Sequence, residues 1–395
     1  MSPAAPASRS ERTDQASTRT PTTLDNPGAL IDQLKSMSLR GLARMYDRNA
    51  ASFYFRVDRT AGGIAPRGHS ARYTAITLLG LATESGPARE TITAPHSIDE
   101  VCSRLLKEVA AGDNLGDVAL SIWAAGMLGH ADATYEAARR LAALSPLERA
   151  HPVVELAWTL VALTRVPEAD KTGLRDAVAT RLMSVFNPAS SLFPHIAGGA
   201  GARAHVACFA DIIYPIQALS VYSRAACNQQ ALDIASQCAT HLCSMQGEAG
   251  QWWWHYDYRT GAVVEGYPVY AIHQDAMGPM GLHDLREAGG ADCLPAIIRG
   301  LEWLTSAPEL QGGSLIDPQA DLIWRKVARR EPGKTARYVQ AAASRVHPSL
   351  RVPALDMVFP AAAIDFEDRP YHLGWLLHAW QGDRVAALKA EKGRA

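Results

Sequence analysis

The segment QGEAGQWWWHYDYRTGAVVEGYPVYAIHQDAM, residues 246–277, joins two stretches of helical periodicity and carries three Trp, four Tyr and two His. Each of these side chains combines an apolar body with a polar end, so crowding them beside Glu and Asp suits a wet concave site better than a packed core. The stretch before it, 229–245, has a polar face, whereas 268–288 is apolar nearly all round. We therefore expect this segment to form the rim and floor of a pocket.

The same alternation of two kinds of segment runs along the chain. Apolar residues recur at helical spacing in about twelve segments. One set is apolar nearly all round, with Tyr, His or Asp clustered at its N-terminal ends: 70–84, 115–129, 151–164, 208–226, 268–288 and 370–382. The other set is amphipathic: 29–46, 97–111, 131–143, 172–186, 229–245 and 291–306.

This alternation predicts the fold. A helix that is apolar on all sides must be surrounded by protein, while an amphipathic one faces water. Six of each in strict alternation predict an all-α (α/α)6 toroid, an inner ring of helices inside an outer ring. The links from outer to inner helices are mostly long, so the long links should emerge together at one end. That end also receives the N-termini of the inner helices, whose free N–H groups favour anions or hydroxyl-rich ligands.

Three of the long links have the pattern of β-hairpins. Residues 52–67, 251–267 and 313–326 alternate aromatic or β-branched residues around a Gly, Pro or Asp turn. We expect these hairpins to form a wall around the mouth of the toroid.

The bulk composition excludes several classes of function. The 395 residues are 48% hydrophobic, and 39 basic residues balance 40 acidic ones, so no global charge attracts nucleic acid. The six Cys form no CxxC pair, which is typical of reduced thiols in a cytoplasmic protein. The sequence has no apolar run long enough to span a membrane and no secretory signal. We expect a cytoplasmic protein that takes a small-molecule or glycan substrate, with no membrane insertion.

The two ends of the chain differ in composition from the toroid, which we predict to be a single domain over residues 28–385. Residues 1–27 are rich in Ala, Pro, Ser, Thr and Arg, and such a composition cannot offset its own ordering entropy. We expect a disordered N-terminal tail, and a solvated charged tail over 386–395.

The core Gln246-x-x-x-Gly250-x-Trp252 resembles the QW motif of the terpenoid cyclase and protein prenyltransferase superfamily, which has an α/α toroid fold. In that superfamily the motif ties the end of one helix to the start of the next, so the resemblance implies a fold rather than a reaction. The superfamily's chemistry transfers poorly. No Asp, Cys, His zinc pattern of the prenyltransferases is visible, and the nearest match to the DxDD acid of the cyclases is the DFED of residues 365–368, beside Arg369. Its alternative interpretation is an acid cluster at a helix N-terminus.

Toroids of this kind also recur among glycoside hydrolases, polysaccharide lyases and sugar epimerases, whose sites combine Trp and Tyr platforms with acid–base residues. The polar residues at the predicted mouth are of the same types. Our candidates for acid–base catalysis are His255, Asp257, Tyr267, His273, Asp275 and Asp211. For His255 and Asp257 the alternative is an amphipathic hairpin packed on the rim, and for Asp211 it is a helix cap.

The candidates for substrate binding share a place on the predicted hairpins or near inner-helix N-termini. They are Trp252, Trp254, Tyr256, Tyr270, Gln274, Tyr214, Arg203, His205, Arg67, Tyr73, Trp324, Tyr371 and His372. Clustered Arg would suit a carboxylate or phosphate on the ligand. We expect no cofactor and no metal, because no HxxxH, HExxH or carboxylate triad stands at ligand spacing.

Three functions stay open at this stage. The leading hypothesis is an enzyme that acts on a glycan by acid–base hydrolysis, elimination or epimerisation. The second is a terpenoid cyclase-like or prenyl-substrate enzyme, which predicts an apolar cleft and places residues 365–368 in it. The third is a non-catalytic glycan-binding or scaffold protein. The oligomeric state cannot be inferred from the sequence.

Overall fold

The computed structural model describes residues 24, 26–199, 203–348 and 350–392. The predicted N-terminal tail lies almost entirely outside these residues. In chain order the helices are α1 (Pro27–Met45), α2 (Ala71–Leu81), α3 (Gly86–Thr93), α4 (Ile98–Ala110), α5 (Leu115–Met127), α6 (Tyr135–Ala143), α7 (Val153–Arg165), α8 (Leu174–Ser184), α9 (Phe209–Ala226), α10 (Gln229–Ser244), α11 (Gly278–Glu287), α12 (Leu294–Ser306), α13 (Thr335–Val346), α14 (Ala354–Val358), α15 (Pro370–Ala379) and α16 (Arg384–Lys392). A 3₁₀ turn, Ala131–Thr134, precedes α6, and a π-helical turn, His273–Met277, leads into α11.

Six of the described helices form a closed inner ring. Each packs against the next in the order α2, α5, α7, α9, α11 and α15, and α15 returns to α2. The outer helices α1, α4, α6, α8, α10 and α12 cover this ring. In α9 every residue from Ile212 to Ser223 is buried, as expected for a helix with protein on all sides. The predicted (α/α)6 toroid is confirmed, and all twelve segments lie within a few residues of their predicted positions apart from the irregular start of α11.

The ring closes through glycine. Where α2 crosses α15, a Cβ on Gly374 would lie 2.7 Å from the carbonyl oxygen of Ile76 and 2.8 Å from the Cα of Thr77. Gly80 faces Gly374 across the same contact. The last inner helix therefore meets the first at backbone distance, which no larger residue would allow.

Four described helices lie outside the twelve predicted ones: α3, α13, α14 and α16. The last of these differs from the expected solvated tail. Arg384 donates to Asp284 of α11 at 2.6 Å, Lys389 pairs with Asp32 of α1, and Leu388 is fully buried. A buried ion pair and one apolar anchor hold this short, charged helix on the ring, and neither contact can be deduced from the local composition.

The strands are short, and each belongs to a link between helices. They are β1 (Tyr46–Asp47), β2 (Ser52–Thr60), β3 (Gly63–His69), β4 (Val206–Cys208), β5 (His255–Asp257), β6 (Val263–Glu265), β7 (Val269–Tyr270), β8 (Ile316–Asp317), β9 (Leu322–Ile323), β10 (Lys326–Arg329), β11 (Ala361–Asp365) and β12 (Glu367–Asp368). The three predicted hairpins are present as β2–β3, β5–β6 and β8–β9. The second begins only at His255, and each strand of the third has only two residues.

Pairings between distant strands join these links into a wall. β4 pairs with β5, β10 with β7 and β11, and β12 with β2. Because β4 leads into α9, the pairing of Cys208 with His255 brings the aromatic segment 252–258 to the N-terminal end of an inner helix. This contact positions the site described below.

The QW-like core has a packing role. The Gln246 side chain donates to the carbonyl oxygen of Ala296 at 2.9 Å, which ties the end of α10 to α12. Trp252 is fully buried, and its ring lies against Gly278 and Gly300. No described helix is long and apolar enough to cross a membrane.

Candidate active site

A cavity of about 370 Å³ opens at the end of the toroid where the inner helices begin. Its lining comes from the first turns of the inner helices and from the links between them. The residues are Arg72, Tyr73, Ile76, Pro152, Val154, Glu155, Trp158, His195, Cys208, Ala210, Asp211, Tyr214, Trp254, Tyr270, His273, Met277, Arg325, Arg369 and Tyr371. Six of them are aromatic and three are Arg, so the cavity offers both ring faces and charged hydrogen-bond donors.

A His–Asp pair lies in the wall of this cavity. Both carboxylate oxygens of Asp211 lie 3.0 Å from Nδ1 of His195. Asp211, in the first turn of α9, is fully buried and also accepts the backbone N–H of Cys208 at 2.7 Å. The hydrogen bond to Asp211 raises the pKa of His195 above its usual value. The geometry fixes Nδ1 on the carboxylate and leaves Nε2 without a protein partner among the described residues.

His195 belongs to the link between α8 and α9, and backbone contacts hold that link in place. The carbonyl oxygen of His195 accepts the N–H of Val153 at 2.9 Å, and Pro152 and Ile196 form a β-bridge. The start of α7 therefore anchors the imidazole from one side and Asp211 orients it from the other. About half of the His195 side chain, 53%, is exposed, so the imidazole is accessible to a ligand.

Three possible metal ligands meet at the same point. Nitrogen, sulfur and oxygen atoms of His195, Cys208 and Asp211 all lie within 4.8 Å of one another. The sequence offered no metal pattern because the three residues are spread over a link, a strand and a helix. Burial raises the pKa of the Cys208 thiol well above its usual value, so the protonated thiol is favoured at neutral pH in the metal-free chain. Nδ1 of His195 is already hydrogen-bonded to the carboxylate of Asp211, so each of these two side chains has a partner within the protein.

The second carboxylate of the cavity, Glu155, is held by cationic and amide groups. It accepts from Asn114 at 3.1 Å and from Arg72 at 3.4 Å. Arg72 also donates to Asp117 at 2.6 Å. The guanidinium of Arg72 thus lies between two carboxylates, which neutralise the positive charge on this side of the cavity.

The opposite side carries a second neutralised cluster. Glu367 of β12 contacts Arg369, and it pairs with Arg325 at 2.9 Å and with Arg56 at 3.1 Å. Arg369 also donates to the hydroxyl of Tyr73 at 2.6 Å. These guanidinium groups position the tyrosines of the wall and share their charge with a buried carboxylate.

Aromatic rings form much of the remaining surface. Phe55, Tyr73 and Tyr371 stack in a row, with centroids 5.1 Å and 4.4 Å apart. Across the ring, Trp158 meets Tyr214 edge to face at 5.0 Å. Flat, partly apolar faces with polar edges suit a ring that has both C–H and O–H surfaces.

His273 also lines the cavity, but in a different environment from His195. Its ring stacks on Phe209 at 4.2 Å, and burial lowers its pKa to about 3. Its imidazole is therefore neutral at physiological pH, while that of His195 is held closer to the charged form. Two histidines whose surroundings shift the pKa in opposite directions are typical of a site that both takes and gives protons.

Directly behind the cavity lies a buried acid–base cluster. Nε2 of His372 lies 2.8 Å from Asp275, and its Nδ1 lies 3.8 Å from Asp368. Asp368 accepts the backbone N–H groups of Ile323 and Arg369, yet burial raises its pKa to about 7. None of the three lines the cavity, so their contacts join α15, the turn before α11 and β12.

A smaller cavity of about 320 Å³ adjoins the first and shares His195, Cys208, Asp211 and Trp254 with it. Its other lining residues are Arg203, Val206, His255 and Arg337. The ring of His255 stacks on Trp254 at 4.2 Å, and burial together with Arg203 lowers the pKa of His255 well below its usual value.

The structure brings together about half of the candidates from the sequence. Asp211, His273, Tyr214, Tyr270, Tyr73, Tyr371 and Trp254 line the first cavity, and His255 and Arg203 line the second. Their roles remain predictions.

The other candidates lie outside both linings and have structural contacts. Asp257 pairs with Arg259 at 2.6 Å, the Tyr267 hydroxyl donates to Glu309 at 2.8 Å, and Gln274 binds the Trp252 backbone. The rest of this group is packed or paired elsewhere: Asp275 with His372, His205 with Ser344, Arg67 with Asp58, Trp324 under Arg59, and Trp252 and Tyr256 in the core.

The residues of the site that were absent from the candidates include His195, Glu155 and Trp158. His195 lies in a link without periodicity, and Glu155 and Trp158 lie in a segment that was noted only for its polar start. The one available signal was the pattern HPVVELAW, residues 151–158, which places a carboxylate and an indole one turn apart at an inner-helix N-terminus.

No family model matches the chain, and no curated protein matches it either. Several solved structures do match the chain. An unsaturated glucuronyl hydrolase specific for heparin is 13% identical, with a TM-score of 0.57 over 91% of this chain and 98% of its own. Cellobiose 2-epimerase from Bacillus thermoamylovorans B4167 is 10% identical, with a TM-score of 0.60 over 89% and 98%. An unsaturated glucuronyl hydrolase from Bacillus sp. GL1 is 12% identical, with a TM-score of 0.55 over 88% and 95%. At these identities the likeness establishes the toroid fold.

Proposed function

We propose that the protein is a carbohydrate-active enzyme that binds a sugar in the 370 Å³ cavity and transfers a proton through His195. The observation that carries this proposal is the His195–Asp211 pair, with Nδ1 3.0 Å from the carboxylate and the imidazole half-exposed in an aromatic cavity. Asp211 acts as the positioning residue, since it holds the tautomer and orientation of the ring. Nε2 is then the atom that meets the substrate.

The chemistry of the cavity supports proton transfer at carbon over hydrolysis by two carboxylates. The latter requires one carboxylic acid and one free carboxylate on either side of the scissile bond. Here Asp211 is bound to His195, and Glu155 is bound to Arg72 and Asn114. The groups with a free nitrogen are histidines, which suit epimerisation or elimination, where a base removes a C–H proton.

Similarity of fold adds weight to a sugar substrate without fixing it. The solved neighbours are described as glucuronyl hydrolases and a cellobiose 2-epimerase, and another is a glycosidase in complex with glucose, 11% identical with a TM-score of 0.54. A toroid with its cleft at the inner-helix N-termini is shared by enzymes of different reactions, so the site residues must decide the chemistry.

The test is proton NMR of the purified enzyme with a panel of neutral and uronic-acid oligosaccharides in D₂O. Epimerisation or elimination through His195 replaces a specific C–H with deuterium or forms a vinylic signal. His195→Gln should abolish the change while keeping the circular dichroism of the native chain. New reducing ends with neither deuterium nor a vinylic signal would instead indicate hydrolysis, and activity retained in His195→Gln would refute the assigned role.

The prenyl-substrate alternative has weaker support from the site. Its acid motif, residues 365–368, does not line the cavity: Asp365 pairs with Lys326 at 2.8 Å, and Asp368 accepts backbone N–H groups. Charged and hydroxyl groups surround the cavity, whereas a polyene needs an apolar cage. If prenyl diphosphates bound and sugars did not, this alternative would replace our proposal. Sugar binding without any turnover would favour the non-catalytic glycan-binding protein.

A further inference from the structure

Among the described residues that line the 320 Å³ cavity beside the His195–Asp211 pair, positive charge is in surplus, because the single carboxylate there, Asp211, is bound to His195. Two of its lining residues are Arg203 and Arg337, and neither forms an ion pair with a carboxylate among the described residues. In contrast, every Arg of the larger cavity is paired with Asp117, Glu155 or Glu367. The uncompensated cations of the site are therefore concentrated in this compartment, which we call the basic compartment (Arg203, Val206, His255 and Arg337, with the four shared residues).

Buried polar atoms in the basic compartment lack partners. Nε of Arg203, Nε of Arg337 and Nδ1 of His255 are all buried without a hydrogen bond. His255 is only 5% exposed, yet its ring lies in the lining. A buried polar atom without a partner is destabilising, and more so when the group is charged, so three such atoms around one cavity need an explanation.

Aromatic contacts hold these groups in place without using their hydrogen bonds. The guanidinium of Arg337 lies 4.5 Å from the centroid of Trp254, and that of Arg203 lies 5.4 Å from the ring of Tyr338. Stacking on a ring orients a guanidinium and leaves its N–H groups free for an anion. Burial and the proximity of Arg203 lower the pKa of Arg337, and the opposing influence of Glu331 does not cancel them.

We infer that the basic compartment binds an oxyanion carried by the substrate, a carboxylate, sulfate ester or phosphate ester, through Arg203, Arg337 and His255. Two guanidinium forks and one imidazole match the oxygens of such a group. Because Trp254 and the His195–Asp211 pair belong to both cavities, an anion held here places the adjoining sugar ring beside His195. This inference rests on the proposed function for the identity of the substrate, but the anion site itself is independent of turnover.

The test is isothermal titration of the full chain with inorganic sulfate, inorganic phosphate, glucuronate, glucose 6-sulfate, glucose 6-phosphate and neutral glucose. We expect at least one of the anions to bind more tightly than glucose, and which one binds best identifies the oxyanion. Arg203→Gln and Arg337→Gln should each weaken that binding about tenfold or more. Arg286→Gln, at the opposite end of the toroid, should leave it unchanged.

A second measurement does not depend on the folding of the Arg variants. Imidazole signals of His255, assigned by comparison with His255→Gln, should shift when the best-binding anion is added to the wild-type chain, while those of His283 stay in place. Anion affinities that are equal in wild type, Arg203→Gln and Arg337→Gln, with unmoved His255 signals, would overturn the inference. The two proposals are distinguished because anion binding is measured without turnover: binding that depends on Arg203 and Arg337 upholds this inference even if His195→Gln keeps its activity.

Discussion

Asp211 and His195 meet in the wall of the cavity, where both carboxylate oxygens of Asp211 lie 3.0 Å from Nδ1 of the imidazole. The pair joins the first turn of α9 to a link that the backbone of Val153 anchors. A carboxylate in this position stabilises the imidazolium and fixes which nitrogen is free. This geometry supports the proton transfer that we propose for His195.

Replacement of the carboxylate should separate orientation from charge. Asp211→Asn keeps the shape and a hydrogen-bond acceptor for Nδ1, but it removes the charge that raises the pKa of His195. We expect kcat to fall about 100-fold or more and the acidic limb of the kcat/KM profile to move to lower pH. A pH–rate profile measures both. The matched control is Asp99→Asn, which removes the charge from a surface His–Asp pair of 2.8 Å with His130 and should leave the profile unchanged. If the acidic limb of the kcat/KM profile stayed at the same pH in Asp211→Asn, the positioning role of Asp211 would be contradicted.

Chelation tests whether His195, Cys208 and Asp211 act as metal ligands instead. Since Asp211 already occupies Nδ1 and burial raises the pKa of the Cys208 thiol, we expect a chelator to leave turnover and thermal stability unchanged. The measurement is activity and melting temperature after exhaustive dialysis with a chelator, followed by added Zn²⁺. Loss of turnover that Zn²⁺ restores in wild type, but not in Cys208→Ser, would show a metal centre.

The sequence predicts the ring because burial on all sides leaves a strong periodic signal in each inner helix. It predicts the mouth because polar tips on a buried helix, such as Tyr270 and His273, need a cavity. The sequence does not predict which polar side chains come into contact at the mouth, because that depends on strand pairings between distant links. Cys208 pairs with His255 across 47 positions of the chain, and no local pattern encodes that register.

Two kinds of site residue could not be predicted from the sequence, for a physical reason. His195 lies in an irregular link whose position is set by bonds to Val153 and Asp211, so its sequence neighbours carry no signal. Arg337 lies on α13, in a stretch for which the sequence analysis predicted no helix. Conversely, Asp257 and Tyr267 look polar and available, but Arg259 and Glu309 occupy their polar atoms.

The helix at the C-terminus contributes to stability through one buried ion pair. Arg384 donates to Asp284 at 2.6 Å, to Glu287 at 2.7 Å and to the carbonyl oxygen of Ala379 at 3.1 Å. Arg384→Gln leaves Asp284, which is 3% exposed, without its main partner, so we expect a loss of about 3–5 kcal/mol in the free energy of unfolding. Urea denaturation provides the value. Arg224→Gln removes only an exposed pair with Glu287 and should cost about 1 kcal/mol at most. Equal effects of the two variants would contradict this ranking.

Closure of the ring depends on the glycine contact between α2 and α15. A methyl group at position 374 would press on the backbone of Ile76 and Thr77, which cannot move independently of α2. We expect Gly374→Ala to destabilise the protein by about 1–3 kcal/mol in urea denaturation. Gly86→Ala is the matched control, because a Cβ there meets nothing within 4 Å and the change should be neutral or slightly stabilising. A neutral Gly374→Ala would mean that the ring closes more loosely than the structure indicates.

Acid should unfold the toroid through its buried histidines. Burial lowers the pKa of His273 and His283 to about 3 and that of His378 to about 4, below the value of about 6.5 in an unfolded chain. Between those limits the unfolded state binds more protons, so stability falls as the pH falls from about 6.5 toward 4. Asp368, whose pKa burial raises to about 7, opposes this with one proton in the same range.

His255, whose pKa burial and Arg203 also lower, takes up a fourth proton on unfolding. Four protons against one leave a net uptake of about three near pH 5.5, which corresponds to about 4 kcal/mol lost per pH unit. Urea denaturation at intervals from pH 7 to 5 measures this slope directly. His283→Gln lies at the opposite end of the ring from the cavity, so it should lower the slope by about 1.4 kcal/mol per unit without disturbing the site. A slope that is flat in wild type, or unchanged in His283→Gln, would show that these imidazoles are protonated in the folded protein, and that protons reach the interior of the ring.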